Sequence, residues 1–490
     1  MIFSSTLFLF FFFPVYFVVF YVLKKNIRIQ NVWIILGSVL FYAYGAREFF
    51  LIVLGTLLID YCLGLLIYKH KRFAKLFTAL DVIINIGILA YFKYLNFFID
   101  NINLIFAQLG WNPIVFTRIA LPLGVSFVVF QKMTYCLDIA KGISQPTSNF
   151  FYLLEYLLIF PQIVAGPIVK YNEIADQIRQ RNITRDSFSN GFNRFAIGLF
   201  KKVWIADVVA RIADTVFEAH ALGGVPFDYA WLGIVAYTFQ IYFDFSAYSD
   251  MAIGMLAMMG FHIQENFNKP YAALSITDFW KRWHISMTSW FREYLYFPLG
   301  GNRKGTVRTY INQWIVFLVS GVWHGASWNF IFWGGYHGTL LCAERSFLLK
   351  RTQRIPRWIR WVATLFAVMI GWIFFRAENL NLAINYIGDL FDFNNYFTHV
   401  NPSYILVIDA REWFILGLAA AISFFSPLFR NLWQANAESA ATPGLGCYRV
   451  IAPFCLGGLE SDYGLHKSFY LFPILRSTLP NKIIIIERMK

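Results

Sequence analysis

The sequence predicts an all-α protein that crosses a lipid bilayer many times. Of the 490 residues, 58% are hydrophobic and only 14% are charged, whereas soluble chains carry about 25% charged residues. Apolar runs recur from Leu7 to Trp433. Because so little polar surface cannot cover a globule of this size, the composition excludes a soluble enzyme, a coiled coil and a disordered scaffold.

Long apolar runs supply the candidate membrane helices. A helix needs about 20 apolar residues to cross a bilayer core of about 30 Å. Several runs are short or are interrupted by proline and glycine, so we predict about 10–12 transmembrane helices plus re-entrant or interfacial helices. The candidates are Leu7–Leu23, Val32–Ala46, Phe49–Tyr68, Phe77–Tyr94, Ile119–Ala140, Phe150–Val169, Phe192–Val209, Tyr229–Phe261, Tyr310–Val322, Trp328–Cys342, Val362–Phe375 and Phe414–Leu432.

Cations lie in short tracts between these runs. Lysine and arginine number 42 against 28 acidic residues, which gives a net charge of +14. Such tracts orient membrane helices by holding their loops on the cytoplasmic side. Lys24, Lys25 and Arg28 follow the first run and therefore predict an N-terminus on the outer face. This arrangement favours membrane lipid as the partner of the basic residues, and nucleic-acid binding is not expected.

The segment 268–305 differs from the apolar runs. Lysines, arginines and carboxylates alternate there with tryptophan, phenylalanine and tyrosine. It is too charged to span lipid freely and too aromatic for a plain solvated loop. We predict an amphipathic or re-entrant helix at the membrane interface, with its aromatic rings at headgroup depth.

His324 is the first candidate for chemistry. It lies between two apolar runs, and no charged residue occurs from Thr309 to Ala343. An ionisable side chain at such depth is costly and is a functional candidate by default. The alternative is a neutral imidazole that bonds two helices or lines a water cavity. Gly321 and Gly325 allow another backbone or a ligand to approach closely.

A second histidine, His284, ends a charged and aromatic run. Asp278 and Arg282 are four residues apart, so on a helix they share a face and can pair. Arg282 or Lys281 could instead bind a phosphate. The alternative is an interfacial helix that tryptophan and arginine anchor and that has no chemical role. His337 is a weaker third candidate because it lies nearer the end of a run.

Asp244 is a carboxylate within an apolar run and could be a proton relay or a structural hydrogen-bond partner. The chain lacks a GxSxG elbow, a Walker A loop, an HExxH motif and an Asp-x-Asp motif. Its cysteines lack zinc-ligand spacing. No metal site is therefore expected, and a processive glycosyltransferase is disfavoured.

Six motifs together resemble the membrane-bound O-acyltransferase family. In chain order they span Pro161–Ile168, Tyr242–Ala252, Glu265–Tyr271, Asp278–Ser286, Tyr294–Arg303 and Val322–Gly325. Within the family, the opening Met1–Ser5 and the run Pro298–Arg303 are most similar to the alginate O-acetylase branch. The resemblance covers residues 1 to about 433. Residues 434–490 contain no clear span and differ from the usual ending of family members, so we treat them as a divergent tail of unclear structure.

The resemblance implies a multi-helix membrane domain over residues 1–433, built around a central cavity. It implies that His324 is catalytic and that His284 is a second polar position of the site. Asp278, Trp280, Lys281, Arg282, Trp283, Trp323 and Asp244 are then expected to support the site or bind the donor. No cofactor is expected to be bound permanently, and acetyl-CoA is the expected acyl donor.

The function implied is outward transfer of acetyl groups across a bacterial inner membrane for O-acetylation of an exopolysaccharide, foremost alginate. The expected partners are a periplasmic acetyltransferase of the SGNH (Ser-His-Asp) type and the polysaccharide acceptor. Lys281, Arg282, Arg303 and Lys304 would dock the phosphates of acetyl-CoA on the cytoplasmic side. The alternatives are the same chemistry on peptidoglycan, cellulose or teichoic acid, and a transporter or flippase without catalysis.

Overall fold

The computed structural model describes residues 1–23, 26–46, 49–122, 124–163, 166–348, 354–394 and 408–439. All regular structure within these ranges is helical, which confirms the predicted all-α class. The helices of the first half are α1 (Phe13–Val22), α2 (Ile27–Ala46), α3 (Phe50–Lys69), α4 (Ala74–Leu89), α5 (Leu95–Leu109), α6 (Val125–Lys141), α7 (Phe150–Leu158), α8 (Phe160–Ile163), α9 (Tyr171–Arg179) and α10 (Arg185–Phe200).

The second half begins with α11 (Asp207–Gly223) and the 32-residue α12 (Phe227–Met258). The remaining helices are α13 (Ile276–Arg282), α14 (Ile285–Phe291), α15 (Thr306–His324), α16 (Trp328–Ala343), α17 (Arg357–Arg376), α18 (Leu380–Asp389) and α19 (Ala410–Ser439). π-Helical turns occur at Phe8–Phe12, Ala90–Tyr94, Lys201–Ala206, Arg292–Tyr296 and Glu344–Leu348. Helix α19 runs past residue 433, and the predicted tail lies outside the described residues from 440 onward.

By length and apolar composition, 4 described helical stretches can cross a membrane. They are Ile27–Gly45, Phe50–Lys69, Lys71–Leu109 and Arg357–Arg376. The predicted total of about 10–12 spans stays a prediction, because most of the other candidates are short or broken helices. A small apolar pocket lies among α3, α4 and α6, with Lys132 on its wall. The central cavity stays a prediction.

Several predicted boundaries are wrong, and two of them have a clear local cause. The predicted run Ile119–Ala140 becomes helical only at Val125, because Pro122 precedes a left-handed Gly124 with φ 74°. The predicted run Phe77–Tyr94 continues as helix to Leu109. A π-helical turn joins α4 to α5, so the polar residues after Tyr94 do not end the helix.

Helix α12 lies at the centre of the fold. The residues from its start to its middle, Tyr237 and Phe243 among them, belong to a core formed with α6, α11 and the helices from α13 onward. Its C-terminal half contributes Met251 and Met255 to a second core formed with α1–α3 and α6–α9. A helix that is apolar on all sides must be covered by protein or lipid. Helix α12 therefore joins the two cores into one domain.

The segment 268–305 is buried more deeply than predicted. It forms two short helices, α13 and α14, and a π-helical turn between α12 and α15. Trp280, Trp283 and Trp290 are each 4–5% exposed. The Trp283 ring packs 4.9 Å from that of Trp372. These three rings fill the space between helices, and their predicted headgroup depth stays a prediction.

Small residues let neighbouring helices touch through their backbones. A Cβ atom at Gly191 of α10 would lie 2.6 Å from the carbonyl oxygen of Gly254 on α12. A Cβ atom at Gly321 of α15 would overlap the carbonyl oxygen of Phe330 on α16. Such close approach is the usual packing device of membrane helices. It confirms the predicted role of Gly321.

We predict that Gly321→Ala destabilises the α15–α16 pair, because the added methyl group must push the two backbones apart. Overpacking of this kind costs about 1–3 kcal/mol. The matched control is Gly335→Ala on α16, where a Cβ atom would lie 3.5 Å from the Trp314 ring in ordinary contact. Thermal unfolding in detergent measures both variants. Equal unfolding temperatures for the two variants would contradict the packing argument.

Candidate active site

His324 is the last residue of α15 and is 7% exposed. The helix ends there because Gly325 adopts an extended conformation before α16 begins. Rings of Trp323, Trp333 and Phe375 lie 4.9, 5.0 and 5.2 Å from the imidazole, centroid to centroid. The Nδ1 atom of His324 has no hydrogen-bond partner among the described residues. The imidazole therefore faces an aromatic wall with one nitrogen unused.

His284 lies between α13 and α14 in a left-handed conformation, with φ 45° and ψ 55°. A residue with a side chain adopts this conformation at a cost of about 1–3 kcal/mol, and such strain is found mainly at functional sites. The neighbouring backbone holds it in place. The amide of Asn268 donates to the carbonyl of Arg282 at 2.9 Å, and that of Ile285 donates to the carbonyl of Asn266 at 3.0 Å.

Asn266 orients the His284 ring. Its Oδ1 atom lies 3.1 Å from Nδ1 of His284 and also accepts a 2.8 Å hydrogen bond from Oγ of Ser286. Because an amide oxygen only accepts, Nδ1 of His284 carries the proton and Nε2 keeps its lone pair. Ser286 accepts in turn from the amide of Ile168 at 2.9 Å. This chain of bonds links three of the motifs that carry the family resemblance.

Trp323 brings the two histidines together. Its ring centroid lies 4.9 Å from that of His324 and 6.4 Å from that of His284. The indole stacks on Phe130 of α6 at 5.1 Å. The predicted residues His324, His284 and Trp323 therefore form one cluster at the meeting point of α6, α14 and α15.

Several buried nitrogen atoms in and around this cluster lack a hydrogen-bond partner among the described residues. Most buried polar atoms in proteins have a hydrogen-bond partner. Among the described residues, Nε2 of His284, Nδ1 of His324 and both ring nitrogens of His337 have none. The same holds for the indole nitrogens of Trp280, Trp290, Trp323 and Trp333. Hydrogen-bond donors and acceptors held ready in an apolar shell are suited to a polar substrate.

His337 extends the cluster towards α13. Its ring lies 5.1 Å from that of Trp280 and 5.1 Å from that of Trp333, and the residue is fully buried. Trp333 also contacts His324. Trp280 therefore reaches the histidine cluster through Trp333, while Trp283 packs towards Trp372 on α17.

The charged residues of α13 lie on its other face. Asp278 accepts a 2.8 Å hydrogen bond from Nε of Arg282, as predicted from their spacing. Ser275 caps the helix by accepting from the amide of Asp278 at 3.1 Å. Lys281 is exposed. Among the described residues, no hydrogen bond or ion pair joins these charges to either histidine ring, so their functional role stays a prediction.

Asp244 belongs to a different cluster. Its Oδ1 atom lies 2.8 Å from Nζ of Lys202, which also pairs with Asp207 at 2.9 Å. The next residue, Phe245, does reach the site, with its ring 4.7 Å from that of His284. The pairing with Lys202 matches the structural alternative for Asp244, and its role as a relay stays a prediction.

The site residues lie in the part of the chain that matches a family model. Residues 117–384 match the model of the membrane-bound O-acyltransferase family. The chain belongs to this family. It is 42% identical over 445 residues to the probable alginate O-acetylase of Pseudomonas aeruginosa. The alignment covers 90% of this chain and 85% of the relative.

Two further relatives support the assignment. The probable alginate O-acetylase of Pseudomonas putida is 39% identical over 447 residues and covers 90% of both chains. The peptidoglycan O-acetyltransferase of Helicobacter pylori is 36% identical over 430 residues and covers 80% of both. The protein is therefore a multi-pass membrane O-acyltransferase.

Asn266 and Ser286 are the main residues of this candidate site that reasoning from the sequence missed. Both lie inside the quoted motifs, at 265–271 and 278–286. Neither is a titratable or nucleophilic type that draws attention by itself. Their importance arises from the contact between two loops, which the spacing in the sequence does not reveal.

We predict that Asn266→Ala lowers acyl transfer about 10- to 100-fold, because His284 loses the acceptor that orients its ring. Transfer by membranes that contain equal amounts of protein measures the effect. Asn31→Ala is the control, since Asn31 is also buried and bonds a backbone carbonyl, that of Ile178 at 2.8 Å. A similar loss in both variants would indicate general destabilisation instead of a role in the site.

Proposed function

We propose that this acyltransferase moves acetyl groups from acetyl-CoA, on the cytoplasmic side of a bacterial inner membrane, to an acceptor reached from the opposite face. The end product is an O-acetylated exopolysaccharide, with alginate as the first candidate. The single observation that carries this proposal is the buried pair His284 and His324 around Trp323, in a chain 39–42% identical to alginate O-acetylases.

His324 serves as the general base in this proposal. An acceptor hydroxyl is a poor nucleophile until a base takes its proton, and a neutral imidazole is suited to that task. The hydroxyl oxygen attacks the acetyl carbonyl as His324 takes the proton. The carbon–sulfur bond then breaks, and the proton passes to the thiolate of coenzyme A. The acceptor gains the acetyl ester, and coenzyme A leaves as the free thiol.

The surrounding groups have complementary roles. His284 presents an unprotonated Nε2 atom, so it can accept a hydrogen bond from the acceptor hydroxyl and orient it. The indole N–H of Trp323 has no partner among the described residues and can donate to the acetyl carbonyl oxygen. The aromatic wall keeps bulk water from the thioester, which would otherwise be hydrolysed.

The basic residues near α13 and α15 would hold the phosphates of the donor. Lys281, Arg303 and Lys304 are exposed. Arg282 is held by Asp278 and would have to leave that pair to bind a phosphate. Lys281, Arg303 and Lys304 are therefore the better candidates for docking acetyl-CoA.

The acceptor comes from outside this chain. The partner proposed is a periplasmic SGNH-type acetyltransferase, which would receive the acetyl group and pass it to the polysaccharide. Peptidoglycan is the second candidate polymer, because the Helicobacter pylori relative is named for it. The higher identity to the Pseudomonas proteins favours alginate.

We predict that His324→Ala lowers acetyl transfer by about 100- to 10,000-fold, since a positioned general base contributes that factor. Purified protein with labelled acetyl-CoA measures transfer and release of coenzyme A. His262→Ala is the control, because His262 is exposed on the loop after α12. Retention of most activity by His324→Ala would remove the assigned base.

The same experiment separates the enzyme from a transporter. A transporter would leave the thioester intact in wild-type protein and would release no coenzyme A. The acceptor polymer is identified in cells that lack the gene and produce either wild-type protein or His324→Ala, by measuring the acetyl content of alginate and peptidoglycan. Loss of acetyl groups from peptidoglycan, with alginate unchanged, would contradict alginate as the acceptor.

A further inference from the structure

Lys93 is a buried lysine that none of the roles above uses. It lies in the π-helical turn Ala90–Tyr94 within the stretch Lys71–Leu109, and it is 6% exposed. Among the described residues, no carboxylate lies within ion-pair distance of its ammonium group. An intramembrane lysine without a counter-ion is costly, and π-helical turns often occur at functional sites.

The contacts of this turn lead directly to the catalytic cluster. The Lys93 ammonium donates to the carbonyl oxygen of Trp323 and, at 3.2 Å, to Oγ of Ser126. The hydroxyl of the next residue, Tyr94, donates to the carbonyl oxygen of Val322 at 2.7 Å. The ammonium also lies 5.7 Å from the Trp323 ring centroid. Two consecutive residues thus hold the two carbonyls that precede His324.

The end of α15 needs such partners. The last four carbonyls of a helix have no partner within the helix, and the partial negative charge there attracts a cation. Lys93 and Tyr94, from one neighbouring turn, supply hydrogen-bond donors to these carbonyls, and Lys93 also supplies the cation. Since a positively charged donor forms a stronger bond than a neutral one, Lys93 is the firmer of the two anchors.

We propose that Lys93 and Tyr94 are positioning residues for His324, an inference that rests on the proposed role of His324 as base. The pair clamps the last turn of α15 and so fixes the imidazole relative to His284 and the substrates. Both residues precede residue 117, where the family match begins. The N-terminal helices therefore complete the active site as well as the membrane domain.

The test compares kcat and KM for acetyl-CoA in Lys93→Met, Lys93→Arg and Tyr94→Phe. Displacement of a catalytic group by about 1 Å can cost about 100-fold. We therefore expect Lys93→Met to lower kcat about 100-fold with little change in KM. Lys93→Arg keeps a charged donor and should recover part of the rate. Tyr94→Phe removes one neutral hydrogen bond and should lower kcat about 5-fold.

The control is Lys141→Met, because Lys141 also donates to a backbone carbonyl, that of Glu293 at 3.1 Å, but is exposed and remote from the histidines. Its kcat should stay at the wild-type value. Wild-type kcat in Lys93→Met, or a change confined to KM, would overturn the proposal. If Lys93→Met does not accumulate, Tyr94→Phe is the test: wild-type kcat in this variant, or a change confined to KM, would overturn the proposal.

A second readout does not depend on acetyl transfer. Diethyl pyrocarbonate modifies neutral imidazoles, and mass spectrometry of the His324 peptide gives the rate. A loosened helix end should raise this rate in Lys93→Met and leave it unchanged in Lys141→Met. An altered rate in protein that shows no acetyl transfer at all would sustain the clamp and refute the proposed function. An unaltered rate in active protein would refute the clamp alone.

Discussion

The cost of placing polar groups away from water governs this structure. A chain solvated mainly by lipid must pair its buried charges internally. Lys132 lies 3.1 Å from Asp60 with both side chains 1% exposed, and Lys202 lies 2.8 Å from Asp244. By contrast, Nε2 of His284 and Nδ1 of His324 are buried without a hydrogen-bond partner among the described residues. A substrate that supplies the missing bonds would be favoured there.

Both of these nitrogens lie where a helix is interrupted. His324 ends α15, and His284 stands between α13 and α14, so each imidazole occupies an interruption where the backbone also has free polar groups. Side chains from distant elements satisfy that backbone. Glu344 accepts from the amide of Thr277 at the start of α13 at 2.7 Å, and Lys93 serves the end of α15. The interruptions are thus stable because the protein surrounds them, as is usual for irregular backbone at membrane depth.

Composition and motif order predicted the helical class, the membrane setting and the two histidines, because those features depend on residue type and local spacing. Helix boundaries were less predictable. Leu95–Leu109 is helical although the predicted run stopped at Tyr94, since a π-helical turn continues the helix through Lys93. Asn266 escaped prediction because its importance comes from a contact with His284, 18 residues away. Contacts between loops leave no periodic trace in a sequence.

Asp244 and His324 show why the sequence alone could not separate a buried polar residue that the fold pairs from one that it leaves unpaired. Each is an ionisable residue within an apolar run, and each met the same criterion for function. In the fold, Asp244 finds Lys202 across the contact between α12 and a π-helical turn, whereas Nδ1 of His324 finds no partner among the described residues. The difference lies in a tertiary contact that brings distant residues together. An intramembrane ionisable group therefore becomes a strong candidate for catalysis only when the folded chain gives it no hydrogen-bond or ion-pair partner.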